Sequence, residues 1–422
     1  MTPHAAQSLP SPSLLSYATP DAGEQYSLRR VLTLASLTFA SMLPVTMLVP
    51  ALKELVAIRF NASAFWTHSF MSINMIGAVL AAPIIARVAD GTFNRRRVAA
   101  LALAADAVLL SSMGVVSNLA TLLILRFLEG AAHILALSTL MAVASAWSDP
   151  SRRGRTMGIV GALMMLGTAC GTRLGGVVWQ HIPNWTFHVA GMIAAAIALV
   201  AAFVVSEPLF MARDKRARSG VLALVRESPA LVIAFIYAFI DRFCVGVVIT
   251  TFGLFLADVH GLSPSDRSIM LVWFLLPFAL LVFPAGWIID RIGRVWPISI
   301  GSAGFGLVFA CYGVLPIPLM KYAMIASGVI SAIMFAPNLT LCADFAPVER
   351  RGAAFTGFNI AGSLGFVIGP LAAGAIYSLA ALWSSELFAY RLTFLLAGLA
   401  EVLCAVLTLP ALLRLKRSGA TR

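Results

Sequence analysis

Four carboxylates stand inside stretches that are otherwise apolar: Asp106, Glu129, Asp241 and Glu401. Three arginines, Arg126, Arg173 and Arg242, share such surroundings, and His133 lies seven residues beyond Arg126. In an apolar setting these side chains can do two kinds of chemistry. A carboxyl can take up and release a proton, because burial favours the neutral acid while a nearby cation favours the carboxylate. A guanidinium can serve as counter-charge to a carboxylate or phosphate. Arg126 and Glu129 are three residues apart, so an ion pair within one helix is possible. Asp241 and Arg242 are neighbours and cannot point the same way on a helix of 3.6 residues per turn. Asn74, Asn338 and Asn359 add uncharged polar groups that can line a route or bond one helix to another. The patterns of enzyme chemistry and of nucleotide binding, H-E-x-x-H, G-x-S-x-G and G-x4-G-K-[ST], do not occur. His68, Met71 and Met75 could offer imidazole and thioether to Cu(I). With 16 methionines in so apolar a chain, however, packing accounts for that cluster, and neither a metal nor a cofactor is expected.

The elements that hold these residues follow from composition. The chain is 60% hydrophobic and 11% charged, with a mean hydropathy of +0.92. A soluble domain carries about 25% charged residues, so a water-facing surface cannot be built from this sequence. Apolar runs of membrane-crossing length cover 31–50, 65–86, 98–117, 120–146, 156–178 and 187–206, then 230–256, 269–289, 295–315, 320–343, 353–380 and 390–412. The expected fold class is therefore an all-α polytopic membrane protein of twelve transmembrane helices in two six-helix bundles. The first run follows Arg29 and Arg30 and carries no cleavage signal, so it is expected to remain as a span. Five cysteines lie singly within apolar stretches and indicate no disulfide framework.

The net charge of +12 is distributed as short basic clusters between spans rather than as a nucleic-acid-binding surface. With the N-terminus in the cytosol, 22 of the 30 Lys and Arg fall on cytosolic segments, 5 on outer segments and 3 within spans. That bias places both termini on the cytosolic side of a bacterial inner (cytoplasmic) membrane. The organisation expected is a tail over 1–28, a bundle over 29–206, a linker over 207–229, a second bundle over 230–412 and a tail over 413–422. The halves repeat. Gly154, Gly167, Gly171 and Gly176 each have a glycine 198 residues on, at Gly352, Gly365, Gly369 and Gly374. Ala86-Arg87-Val88-Ala89-Asp90 is answered 200 residues later by Gly286-Trp287-Ile288-Ile289-Asp290. Repeated halves are one architecture for alternating access, and small residues let helix backbones approach where lipid gives no apolar driving force.

Gly286-Trp287-Ile288-Ile289-Asp290-Arg291-Ile292-Gly293-Arg294 resembles G-x-x-x-D-R-x-G-R, the signature loop of the major facilitator superfamily, and the resemblance extends over the chain. The first-half copy, Asp90-Gly91-Thr92-Phe93-Asn94-Arg95-Arg96-Arg97, is degenerate. The resemblance implies cytosolic gating by Asp90, Arg95, Arg96, Asp290, Arg291 and Arg294. Arg126-Phe127-Leu128-Glu129-Gly130 is similar to the family's R-x-x-x-G motif, associated with proton coupling. Gly158, Gly167, Gly171, Gly175 and Gly176 follow the spacing of the antiporter pattern G-x8-G-x3-G-P-x2-G-G, with Thr172 in place of its proline and Arg173 after it. Gly365, Gly369, Pro370 and Gly374 keep the proline in the second half. These glycines are expected at helix contacts. What the resemblance implies is a monomeric secondary transporter, not an enzyme, that exports a small organic solute in exchange for protons or another coupling ion. Asp106, Glu129, Asp241 and Glu401 are the proton-coupling candidates. Arg126, His133, Arg173, Arg242, Asn74, Asn338 and Asn359 are the substrate-cavity candidates. The alternative is a carrier of organic anions or metal chelates, an importer among its forms, that uses the arginines.

Overall fold

The computed structural model describes residues 28–81, 84, 94–147, 153–205, 221–347 and 351–417. Twelve long helices form among the described residues. The first half contains α1 (Leu28–Thr46), α2 (Ala64–Leu80), α3 (Arg95–Met113), α4 (Leu119–Ala146), α5 (Arg153–His181) and α6 (Thr186–Val204). The second contains α7 (Leu231–Val247), α8 (Pro264–Ile292), α9 (Val295–Ala310), α10 (Ile317–Asp344), α11 (Arg351–Ala381) and α12 (Glu386–Arg417). α7 runs on through a wide π-helical turn, Val248–Phe252, into Gly253–Asp258, and a similar turn, Lys53–Ile58, follows α1. Eight of the twelve are long and apolar enough to cross a membrane by their own length and hydropathy. The other four are α1, α2, α3 and α9. α9 is a shorter apolar helix, and α3 opens on Arg95-Arg96-Arg97, which lowers its mean hydropathy. The chain is thus an all-α polytopic membrane protein, as its composition requires.

Helix ends follow local chemistry. Asn94 and Asn118 cap α3 and α4, each accepting a backbone N–H three residues on, from Arg97 at 2.9 Å and from Thr121 at 2.8 Å. The α8–α9 turn is two residues long, and Gly293 sits there at φ +82°, a conformation that strains any residue with a Cβ. This gives the second glycine of the signature loop a physical reason. α12 continues to Arg417, beyond the expected end at 412. Its last turn holds Arg414, Lys416 and Arg417, which suit a helix C-terminus.

The packing repeats between halves. α1 lies on α5, α2 on α4 and α3 on α6; in the second half α7 lies on α11, α8 on α10 and α9 on α12. The halves meet through α5 with α8 and α2 with α11. Glycines set these approaches. A Cβ on Gly167, Gly171 or Gly175 would collide with the α1 backbone at Phe39, Leu43 and Met47. A Cβ on Gly365 or Gly369 would collide with α7 at Phe239 and Phe243. Gly176 of α5 faces Ser268 of α8, and its repeat partner Gly374 of α11 faces His68 of α2. Gly130 and Gly328 show the same symmetry, on the backbone of Asn74 and of Phe274. Gly158 differs from the expected packing role: a Cβ there meets nothing, because this stretch of α5 has no close neighbour on that side.

Candidate functional site

In the first half, three helices bring their ionisable groups to one buried cluster. α4 supplies Arg126, Glu129 and His133 at helical spacing, α3 supplies Asp106 and α2 supplies Asn74; none is more than 5% exposed. Arg126 Nη1 donates to Glu129 Oε2 at 2.7 Å, and Asn74 Nδ2 donates to the same oxygen at 2.6 Å. The Arg126 guanidinium also lies 3.3 Å from the Met71 sulfur and 4.8 Å from the centre of the Phe70 ring. His133 Nδ1 is 3.6 Å from Asp106 Oδ2, too long for a hydrogen bond. Both Asp106 oxygens, Glu129 Oε1 and His133 Nδ1 have no hydrogen-bond partner. One guanidinium therefore faces two carboxyl groups. With both ionised and the imidazole neutral, the cluster would hold one uncompensated negative charge away from water, a costly arrangement. One bound proton removes it.

The expected cavity residues divide. Asn74, Arg126 and His133 sit within this cluster, enclosed by α2, α3 and α4. Asn338 is buried between α10 and α7. Its amide, oriented to satisfy both ends, donates to the Ala234 carbonyl and accepts from the Ala238 N–H, each at 3.2 Å. It is a bond between helices rather than a lining group. Asn359 is exposed on α11. Arg242 is part-buried on α7, 5.4 Å over the Phe358 ring and against Gly362 of α11, with Asp241 part-buried beside it. Glu401 is fully buried on α12, where it accepts a hydrogen bond from Ser302 of α9.

The two halves are joined at the end of the molecule remote from the described termini. Arg173 Nη1 of α5 reaches Ser265 Oγ and Ser268 Oγ of α8, both at 3.0 Å. Ser72 of α2 donates to the Val367 carbonyl of α11 at 2.7 Å. Lys53 pairs with Asp258 at 2.5 Å, and Arg267 pairs with Glu54. Tyr390 donates to Asp258 and lies 4.5 Å from Tyr377, whose ring is 5.8 Å from His68. Arg173 is thus committed to the contact between halves. Lys53 and Arg267 are two of the five basic residues that charge placement puts on outer segments, where nothing in their spacing assigns them a role; their acidic partners, Asp258 and Glu54, lie in the opposite half and share no local spacing with them.

Among the loop residues expected to gate the other end, Arg95 is buried at the start of α3 and Arg96 is exposed, its Nε donating to the Ala202 carbonyl. Arg294 pairs with Asp344 at the end of α10. Asp290 and Arg291 fall on the last turn of α8. Asp90 lies outside the described residues, as does 207–220 of the expected linker; Val221–Glu227 of that linker is a short helix.

Solved structures of similar shape are transporters. A bacterial homologue of the human lysosomal transporter Spinster, inward-facing and unoccupied, superposes with a TM-score of 0.76 at 15% identity, covering 91% of this chain and 96% of that one. The nucleoside transporter NupG gives 0.73 at 15% identity, over 91% and 99%. The human organic anion transporter MFSD10 gives 0.63 at 18% identity, over 88% and 99%. In sequence, a probable actinorhodin transporter of Streptomyces coelicolor is 31% identical over 160 residues, which is 36% of this chain and 26% of that protein, so the match spans about a quarter of the relative. The Major Facilitator Superfamily profile matches residues 34–240 and again 231–421. Two matches that together span nearly the whole chain, on a fold built of two like halves, establish that this protein belongs to the Major Facilitator Superfamily, a family of secondary transporters and not of enzymes.

Proposed function

We propose that this protein is a proton-coupled exporter of a small organic solute, working by alternating access between its two bundles. The observation that carries the reading is the buried cluster of Asp106, Glu129, Arg126, His133 and Asn74, whose two carboxyls outnumber its one guanidinium. A site that is one proton short when fully ionised is a proton-binding site, and α2 ties it to the contact between halves. Met71 and Asn74 touch the cluster, while Ser72 of the same helix donates to the Val367 carbonyl of α11 and the His68 ring lies 5.8 Å from that of Tyr377 on α11. Loading or removing the proton changes what α2 rests on, which couples charge to the position of the halves. In this reading both termini are cytosolic in a bacterial inner membrane, and the joined end is the outer one. The two bundles are 29–206 and 230–412, with the signature-loop residues gating the cytosolic end. The working unit is a monomer. Export rests on the antiporter-like glycine spacing of α5, and the partial likeness to a probable actinorhodin transporter agrees with a small organic solute.

A second reading, a carrier of organic anions or metal chelates, is favoured by one observation: Arg242, part-buried on α7, has no hydrogen bond to a carboxylate among the described residues. Arg126 and Arg173 are already engaged.

The test uses everted membrane vesicles holding an acid-inside pH gradient and a panel of small organic solutes. A transported solute should release the gradient in vesicles with the native protein and not in those with Glu129→Gln. Release that is equal in both would overturn the assignment of the cluster. Release by acidic solutes alone, lost in Arg242→Gln, would select the second reading.

A further inference from the structure

The second half contains a carboxyl that the cluster above does not involve. Glu401 is fully buried at the contact of α12 with α9, where Gly306 and Gly398 bring the two backbones so close that a Cβ on either would strike the other helix. Ser302 donates to Oε1, and Oε2 has no hydrogen-bond partner. Cys244 of α7 donates to the Ala397 carbonyl one turn back on α12 at 3.5 Å, and Tyr237 of α7 meets Thr408 further along α12, so Asp241, which lies between Tyr237 and Cys244 on the same face of α7, stands at the level of Glu401. Among the described residues no lysine, arginine or histidine pairs with it. The polar groups continue as a seam. Thr408 of α12 donates to the Tyr237 hydroxyl at 2.7 Å, and Ser299 of α9 faces the same hydroxyl. Each helix contributes at helical spacing: Tyr237, Asp241 and Cys244; Ser299 and Ser302; Glu401, Cys404 and Thr408.

An ionised carboxylate enclosed without a counter-charge is among the costliest arrangements in a membrane protein. We propose that Glu401 is a second proton-binding site, in the second bundle, that exchanges its proton through Asp241. Glu401 holds the proton on Oε2. Transfer breaks that O–H bond and forms one on an Asp241 carboxylate oxygen, leaving Glu401 as the anion, so one proton is shared between two acids. Asp241 is part-buried where Glu401 is sealed, which makes it the exit. This site is independent of the cluster in the first half and does not require that cluster to couple transport.

Infrared difference spectroscopy on the purified full-length protein at neutral pH tests the proposal without any solute. The native protein should show a protonated-carboxyl C=O band that Glu401→Gln removes and Glu129→Gln leaves in place. Ser302→Ala, which keeps the acid and deletes its donor, should move that band to a different frequency; this reading survives even where Glu401→Gln fails to fold. In Asp241→Asn the deuterium shift of the band should slow at least several-fold. A native spectrum without the band, or one unchanged by both Glu401→Gln and Ser302→Ala, would overturn the site. An unchanged exchange rate in Asp241→Asn would overturn its role as exit.

Discussion

At the scale of single residues, the first-half cluster is held by one strong link and several unfilled bonds. Among the described residues Arg126 is its one arginine or lysine, and its partner Glu129 has no exposure at all. Breaking a buried pair from one side leaves a charge with neither water nor partner, which typically costs about 3–5 kcal/mol. Arg126→Ala should therefore lower the unfolding midpoint in detergent strongly. Arg126→Ala combined with Glu129→Gln should recover part of the loss, because the orphaned charge is gone. A double variant no more stable than the single one would mean that the pair contributes by packing. Part of this cluster was legible in the sequence. The Arg126–Glu129 spacing gives the pair, and His133 falls on the same helix face. The roles of Asn74 and Asp106 were not legible as partners, because each comes from another helix and only the packing of α2 and α3 on α4 brings them near. Arg173 shows the same limit. Its place within a span suggests a cavity, whereas its partners are two serines 92 and 95 residues away.

At the scale of helices, the glycines of α5 and α11 determine how closely each bundle closes. Gly175 faces the carbonyl of Met47, so Gly175→Val must push α1 and α5 apart; overpacking of this kind costs about 1–3 kcal/mol. Gly158 lies in open space on the same helix, and Gly158→Ala should instead be neutral or stabilising by about 0.5–1 kcal/mol. Thermal unfolding of the two variants side by side separates close approach from helix propensity, and equal effects would remove the packing argument. The twelve spans were legible because the apolar runs are long and the loops short. The repeat of glycines 198 residues apart even foretold which helices are equivalent. The role of Gly158 was misread because spacing along one helix does not reveal which side has a neighbour.

At the scale of the whole molecule, the halves are held together at one end by two ion pairs that cross between them, Lys53 with Asp258 and Glu54 with Arg267. They are unequal. The first pair is partly exposed, and pairs of that kind contribute about 0–1 kcal/mol. Arg267 is only 1% exposed, so removing Glu54 strands a buried guanidinium. Spin labels at Ser117 and Ser384, both exposed near that end, can report its separation. Glu54→Gln should increase the population of the separated form at least about tenfold, equivalent to about 1.4 kcal/mol. Lys53→Gln should do far less, and the swap Glu54→Arg with Arg267→Glu should restore closure. Separation that is indifferent to all three would mean that the packing of α5 on α8 and of α2 on α11, with the Arg173 and Ser72 hydrogen bonds, holds the end without the ion pairs.

Under the proposed coupling, solute movement and proton movement are one process passing through the buried cluster. Purified protein in proteoliposomes, with the pH gradient imposed in each direction in turn and internal pH and solute followed together, tests it most directly. The predicted result is opposed solute and proton fluxes that reverse with the gradient and are uncoupled or abolished in Glu129→Gln. Solute flux that ignores the gradient and the substitution alike would contradict it.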